Sequence, residues 1–123
     1  MTHSVSNESG GAPAGIRAHV VGIDPGLNRT GYAVMSMVDQ TLVLHEAGVI
    51  RSTTDRSLAE RVAEIGNGLS EVITEFRPSV LAIEQVFSLG RNPKSALLLA
   101  HARGAILMTA IQGEAEVIHY TPT

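Results

Sequence analysis

The chain has 123 residues, 44% hydrophobic and 17% charged, which suits one domain around one hydrophobic core. It contains no cysteine, which excludes disulfides and thiolate metal sites, and its net charge of −3 excludes a surface coated for non-specific nucleic-acid binding. Any DNA-binding role would need a local basic patch.

The opening stretch MTHSVSNESGGAPAG lacks the basic start and apolar centre of a secretory signal. Its Gly, Ser, Asn and Pro predict a disordered tail over residues 1–16, with the domain at 17–123. No run approaches the ~20 apolar residues of a membrane span, so a cytoplasmic protein without membrane contact is expected.

AHVVGID at 18–24 is a short apolar run rich in Val and Ile, which predicts a strand covered on both faces. PGLNRTG follows as a turn with two glycines. YAVMSMVD and TLVLHEAGVIR read as two more strands around Asp39-Gln40, so the first three strands are expected to form an antiparallel meander. The period then changes. Leu58, Val62, Ile65, Leu69, Val72, Ile73 and Phe76 recur at spacings of three and four, the mark of an amphipathic helix. Ser57 and Glu60 form a capping box at its start, and Pro78 closes it.

SVLAIEQVF is the next strand. It follows a helix, so it is expected to run parallel to the first strand through a right-handed crossover. Asn92 is a good N-cap, and Pro93 suits the first position of a helix that Gly113 ends. That helix is apolar nearly all round, which predicts burial on two sides, with Gly104 admitting a close neighbour. AEVIHYT begins a last strand. The order β-β-β-α-β-α-β makes an α/β domain with a mixed sheet.

Two carboxylates stand out. Asp24 ends the first strand and Glu84 sits near the end of the fourth. On parallel neighbouring strands both would emerge at the carboxyl edge of the sheet, where open α/β sheets bind ligands. Two buried like charges side by side leave two outcomes: one is protonated, or a cation lies between them. All-oxygen donors favour Mg²⁺ or Mn²⁺. The bland alternative is a turn-forming Asp and a solvated Glu at a strand end.

GIDPGLNRTGY at 22–32, AIEQVF at 82–87 and NPKSALLLAHARG at 92–104 together resemble the RuvC family of Holliday junction resolvases. The segments occur in that family's order, and the resemblance runs over residues 19–123. It implies a ribonuclease-H-like mixed five-stranded sheet flanked by helices. It also implies a structure-specific endonuclease of DNA recombination and repair that makes paired metal-dependent nicks with 5′-phosphates. By position, Asp24 and Glu84 match the first two of four acidic ligands, holding two Mg²⁺ ions in the complete protein. Phe87 matches an aromatic placed against unstacked bases, and its alternative is a core residue at a strand end. Arg91 and Lys94 flank a helix start suited to DNA phosphate, and their alternative is a solvated loop; Arg29 is a weaker candidate. The implied partners are a four-way DNA junction, a second copy of the chain and a branch-migration helicase complex; the helix at 93–112, apolar on more than one side, is the candidate dimer face, and its alternative is a central core helix.

The family pattern continues past residue 123 with a last helix bearing two further acidic ligands in an Asp-x-x-Asp pattern. Nothing after Glu84 matches it, and Glu114 and Glu116 do not. The expectation is therefore a chain incomplete at its C-terminus, inactive by itself, whose last strand leaves an apolar face exposed. AHARG stands where the family usually reads GQARG, so His101 is no sign of a metal site, and the other histidines show no ligand spacing. Two other readings remain at this stage. One is a branched-DNA-binding module without catalysis. The other is an actin- or sugar-kinase-like ATPase lobe, which also opens on a strand with GID and a nearby Thr.

Overall fold

A computed structural model describes residues 19–85 and 92–121. The expected tail at 1–16, and with it Phe87 and Arg91, lies outside the described residues. The elements follow the expected order: β1 (Val20–Asp24), β2 (Arg29–Val38), β3 (Thr41–Arg51), α1 (Leu58–Phe76), β4 (Val80–Glu84), α2 (Pro93–Gln112) and β5 (Glu116–Tyr120). They form one five-stranded sheet in the order β3-β2-β1-β4-β5. β1, β2 and β3 make the antiparallel meander, while β4 runs parallel to both β1 and β5.

The local signals do what the sequence leads one to expect. Ser57 accepts from the Glu60 amide, and the Glu60 carboxylate accepts from the Ser57 amide at 3.0 Å. This reciprocal bonding satisfies amides that the first turn would otherwise leave unpaired. Arg77 caps the other end in the left-handed region, φ 47°, and its N–H donates to the Ile73 carbonyl. The Asn92 side chain accepts from the Ser95 amide at 2.8 Å at the start of α2. β2 turns into β3 through Asp39 and Gln40, both at positive φ, the geometry that matches the strand twist of a two-residue hairpin.

Both helices pack against one face of the sheet. Val21 and Ile23 of β1, Tyr32 and Val34 of β2, Ile50 of β3 and Leu81 and Ile83 of β4 meet Ile65, Leu69, Val72 and Ile73 of α1 and Ile106 and Ala110 of α2. Fully burying one such Ile or Leu contributes about 1.5–3 kcal/mol relative to leaving it exposed. On this side the Tyr32 hydroxyl donates to Glu46 at 2.8 Å, and burial together with that carboxylate pushes its ionisation upward.

The opposite face corrects two expectations. β1 is not covered on both faces: Val20 and Gly22 are only half-buried, as are Val80 and Ala82 of β4. Leu42, Leu44, Val49, Ile118 and Tyr120 are exposed on the same side. A run apolar at every position tells only that both faces tolerate burial; which face is covered depends on how the helices return. Similarly, α2 is buried along one side, at Ala102, Ala105, Ile106, Thr109 and Ala110, and not two. Its Leu97, Met108 and Ile111 are exposed. A Cβ added at Gly104 would meet nothing within 4 Å among the described residues, so no close neighbour explains that glycine. By length and composition α2 is also long and apolar enough to cross a membrane, contrary to the expectation that no run comes close. It packs on α1 and β5 along its buried side.

Candidate active site at the carboxyl edge of the sheet

The parallel register of β1 and β4 pairs Ile23 with Ile83. The next residue in each strand is a carboxylate, Asp24 and Glu84. Residues in register on neighbouring strands share a face, so the two acids stand side by side at the carboxyl edge, on the face away from the helices. Asp24 is exposed and Glu84 is half-buried. The expectation of two buried charges is therefore corrected: alternation puts Ile23 and Ile83 into the core and turns the acids outward, where water reduces the cost of holding both ionised.

The turn after Asp24 is tightly built. A Cβ at Gly26 would lie 2.5 Å from the Arg29 carbonyl oxygen, so only glycine fits. The hydroxyl of buried Thr30 donates to the Gly26 carbonyl at 2.7 Å, and the Gly26 amide donates back to that hydroxyl at 3.2 Å. Ser52, at the end of β3, donates through its hydroxyl to the Leu27 carbonyl at 2.6 Å and through its amide to the Asn28 carbonyl at 3.2 Å. Arg61 of α1 completes the brace, donating to the Ser52 hydroxyl at 3.0 Å and to the Asn28 side-chain oxygen. A cleft of about 360 Å³ opens beside this turn, lined by Asp24 through Arg29 and by Ser95, Leu98 and Leu99 of α2.

Glu84 has its own support. Arg103 of α2 donates to the Glu84 carbonyl at 2.6 Å, and its second terminal nitrogen lies 3.3 Å from His119 Nδ1. The Gln85 amide donates to the Tyr120 carbonyl at 2.6 Å. Gln85 is exposed. Lys94 is exposed in the first turn of α2, next to Ser95 of the cleft, and Arg29 is exposed on its rim. Phe87 and Arg91 lie outside the described residues. Arg61, Asn28, Ser52 and Arg103 are contributors that sequence reasoning missed. Arg61 reads there as one charge on a polar helix face; Arg103 had a signal, its place in AHARG, but no visible role.

The donor set fits a hard divalent cation in part. Both candidates are carboxylates, and Gly31 stands opposite Asp24, where even an added Cβ would come no closer than 3.7 Å to the Asp24 Cβ. Among the described residues no group of three or more His, Cys, Asp or Glu converges to hold a metal. A cation here would take one or two carboxylates and complete its shell with water and phosphate, the habit of Mg²⁺.

Residues 20–123 match the family model of the crossover junction endodeoxyribonuclease RuvC. The chain belongs to the RuvC family. It is 46% identical over 112 residues to the RuvC of Rhodopirellula baltica, covering 91% of this chain and 63% of that one. Against the RuvC of Chlorobaculum parvum it is 40% identical over 103 residues, 84% of this chain and 54% of the relative. The chain thus spans less than two thirds of the length of these curated relatives. Among solved structures, Thermus thermophilus RuvC in complex with Holliday junction substrate superimposes with a TM-score of 0.78 at 29% identity, over 86% of this chain and 66% of that one. The mixed sheet with two helices on one face is the RuvC, ribonuclease-H-like fold. The fold alone extends to the Aquifex aeolicus PPX-GPPA enzyme, at a TM-score of 0.51 and 17% identity over 85% of this chain and 36% of that one.

Proposed function

We propose that this domain serves a nuclease that resolves four-way DNA junctions in recombination and repair. The observation that carries the reading is that Asp24 and Glu84 each directly follow the in-register pair Ile23 and Ile83, at the carboxyl edge of parallel strands and beside a cleft, in a chain of the RuvC family. Asp24 and Glu84 would hold divalent cations, Mg²⁺ in the first place with Mn²⁺ as a substitute. Such ions, when bound, supply an activated water and stabilise the leaving oxygen in an in-line displacement. The chain's own residues do the rest. The braced turn at Gly26–Asn28 keeps the Asp24 carboxylate at the strand end. Lys94, exposed in the first turn of α2, balances the charge of a phosphate entering the cleft. Phe87 and Arg91, beyond β4, contact an unstacked base and the backbone, with a stacking contribution of about 1–3 kcal/mol. The expected product is a nick carrying a 5′-phosphate.

A junction has approximate two-fold symmetry, so paired nicks call for a two-fold dimer. Leu97, His101, Gly104, Met108 and Ile111 recur at spacings of four and three along the exposed side of α2, the stripe that a second helix packs against. We assign this stripe to the homodimer. The enzyme would act in the cytoplasm alongside a branch-migration helicase.

The test is a synthetic four-way junction with Mg²⁺ and the full-length polypeptide. Symmetric nicks that Asp24→Asn abolishes, while binding persists, support the reading. Binding without nicks by the unsubstituted protein favours a DNA-binding module instead, and ATP binding with no effect on junctions favours a kinase-like lobe. Residues 1–123 alone supply two carboxylates of the implied four, so they are expected to leave the junction uncut.

A further inference from the structure

We propose that Arg103 is the positioning residue for Glu84. Its bond goes to the main-chain carbonyl and not to the carboxylate, so it takes up neither of the side-chain oxygens a cation would use. The peptide unit joining Glu84 to Gln85 is thereby held from both sides. Its C=O accepts from Arg103 at 2.6 Å, and its N–H donates to the Tyr120 carbonyl at 2.6 Å. Two hydrogen bonds on opposite sides of one planar peptide restrain rotation about its flanking bonds. The Cα–Cβ direction of Glu84 then stays on the Asp24 face.

The anchor is firm at its other end. Arg103 lies between Ala102, fully buried, and Ala105 and Ile106, which are 9% and 0% exposed, so the helix backbone beneath it is fixed in the core. The second guanidinium nitrogen meets His119 of β5, so one planar group joins α2, β4 and β5 where β4 ends. The planar fork of Arg presents its donors to the two acceptors in one fixed geometry, whereas a Lys ammonium is a point charge on a flexible stem. A charged donor also makes a stronger bond to a carbonyl than a neutral one. Residues that orient a metal-binding group without touching the metal typically contribute 10–100-fold to metal affinity or activity.

This inference rests on the reading of Asp24 and Glu84 as cation-binding groups, and the test separates the two. Mn²⁺ is titrated into the full-length polypeptide, with free Mn²⁺ followed by electron paramagnetic resonance, for the parent, Asp24→Asn, Arg103→Met and Arg103→Lys. Thermal melting is recorded alongside, and kcat and KM are measured on a four-way junction. The expected result for Arg103→Met is a loss of Mn²⁺ affinity of about tenfold and a similar fall in kcat, with KM for the junction unchanged. Arg103→Lys, which keeps the charge and one bond, recovers part of both. If Arg103→Met does not fold, Arg103→Lys decides: Mn²⁺ affinity equal to the parent's overturns the proposal. Parent-like affinity in a folded Arg103→Met, with Asp24→Asn weakened, overturns the positioning role and leaves the cation site standing. A parent that binds no Mn²⁺ overturns both.

Discussion

Two glycines of α1, two residues apart, should respond oppositely to the same substitution. A Cβ at Gly66 would lie 3.5 Å from the Thr109 hydroxyl and 3.9 Å from the Ala105 Cβ, ordinary contacts with α2. A Cβ at Gly68 would lie 2.6 Å from Cγ2 of Ile50 and 3.3 Å from its Cγ1. Alanine in place of glycine inside a helix gains about 1 kcal/mol in either case. At Gly66 nothing opposes that gain, so Gly66→Ala should stabilise by about 1 kcal/mol. At Gly68 the obstacle is a β-branched side chain that is 1% exposed and cannot swing aside. Overpacking of this kind costs about 1–3 kcal/mol, so Gly68→Ala should come out between neutral and about 2 kcal/mol destabilised. Urea unfolding of the two variants measures both, and melting temperatures should separate by several degrees, at about 4–8 °C per kcal/mol for a domain of this size. Ile50 also pairs in register with Thr30, whose hydroxyl latches the turn after Asp24. Disturbance at Gly68 should therefore reach the site. A Gly68→Ala protein as stabilised as Gly66→Ala would refute the packing argument.

Arg61→Met removes the donor to Ser52 and Asn28, and should cost about 1 kcal/mol, chiefly at the part-buried bond to the Ser52 hydroxyl, since water can replace the donor at exposed Asn28. Amide hydrogen exchange at Ser52 should quicken, and unchanged protection there would show that the brace is not needed. The rings of His19 and His45 meet edge-on at 4.7 Å, and burial, followed by the charge of His45, holds the His19 imidazole below its usual 6.5. The folded state therefore binds the proton less well than the unfolded chain: His19's contribution is whole above about pH 6.5 and is lost as pH falls through the lowered value. Urea unfolding of the parent between pH 8 and 5 should show a decline that His19→Gln flattens, and equal slopes would exclude His19 as its source. Ser57→Ala should cost about 1 kcal/mol in a thermal melt by opening the capping box, and no change would mean that Glu60 alone holds the helix start.

Much of this fold is legible along the chain because its signals are local. A capping box is closed within three residues, Asn92-Pro93 starts a helix by satisfying amides one turn on, and the three-and-four spacing of α1 states which side is apolar. The Asp24 and Glu84 pair is visible for the same reason, since each ends an apolar run. The braces are not visible. Arg61 meets Asn28 across 33 positions and Arg103 meets Glu84 across 19. His45 reaches Ser36 only because the ladder shifts register between Val34 and Met35. Nor does an apolar run disclose which of its faces a helix will cover, so the open side of β1 and the exposed stripe of α2 emerge only with the fold. Periodicity and capping are written within a turn of helix or a few residues of strand. The covering of a face and the meeting of distant side chains depend on how the whole sheet packs, and the tertiary structure alone decides them.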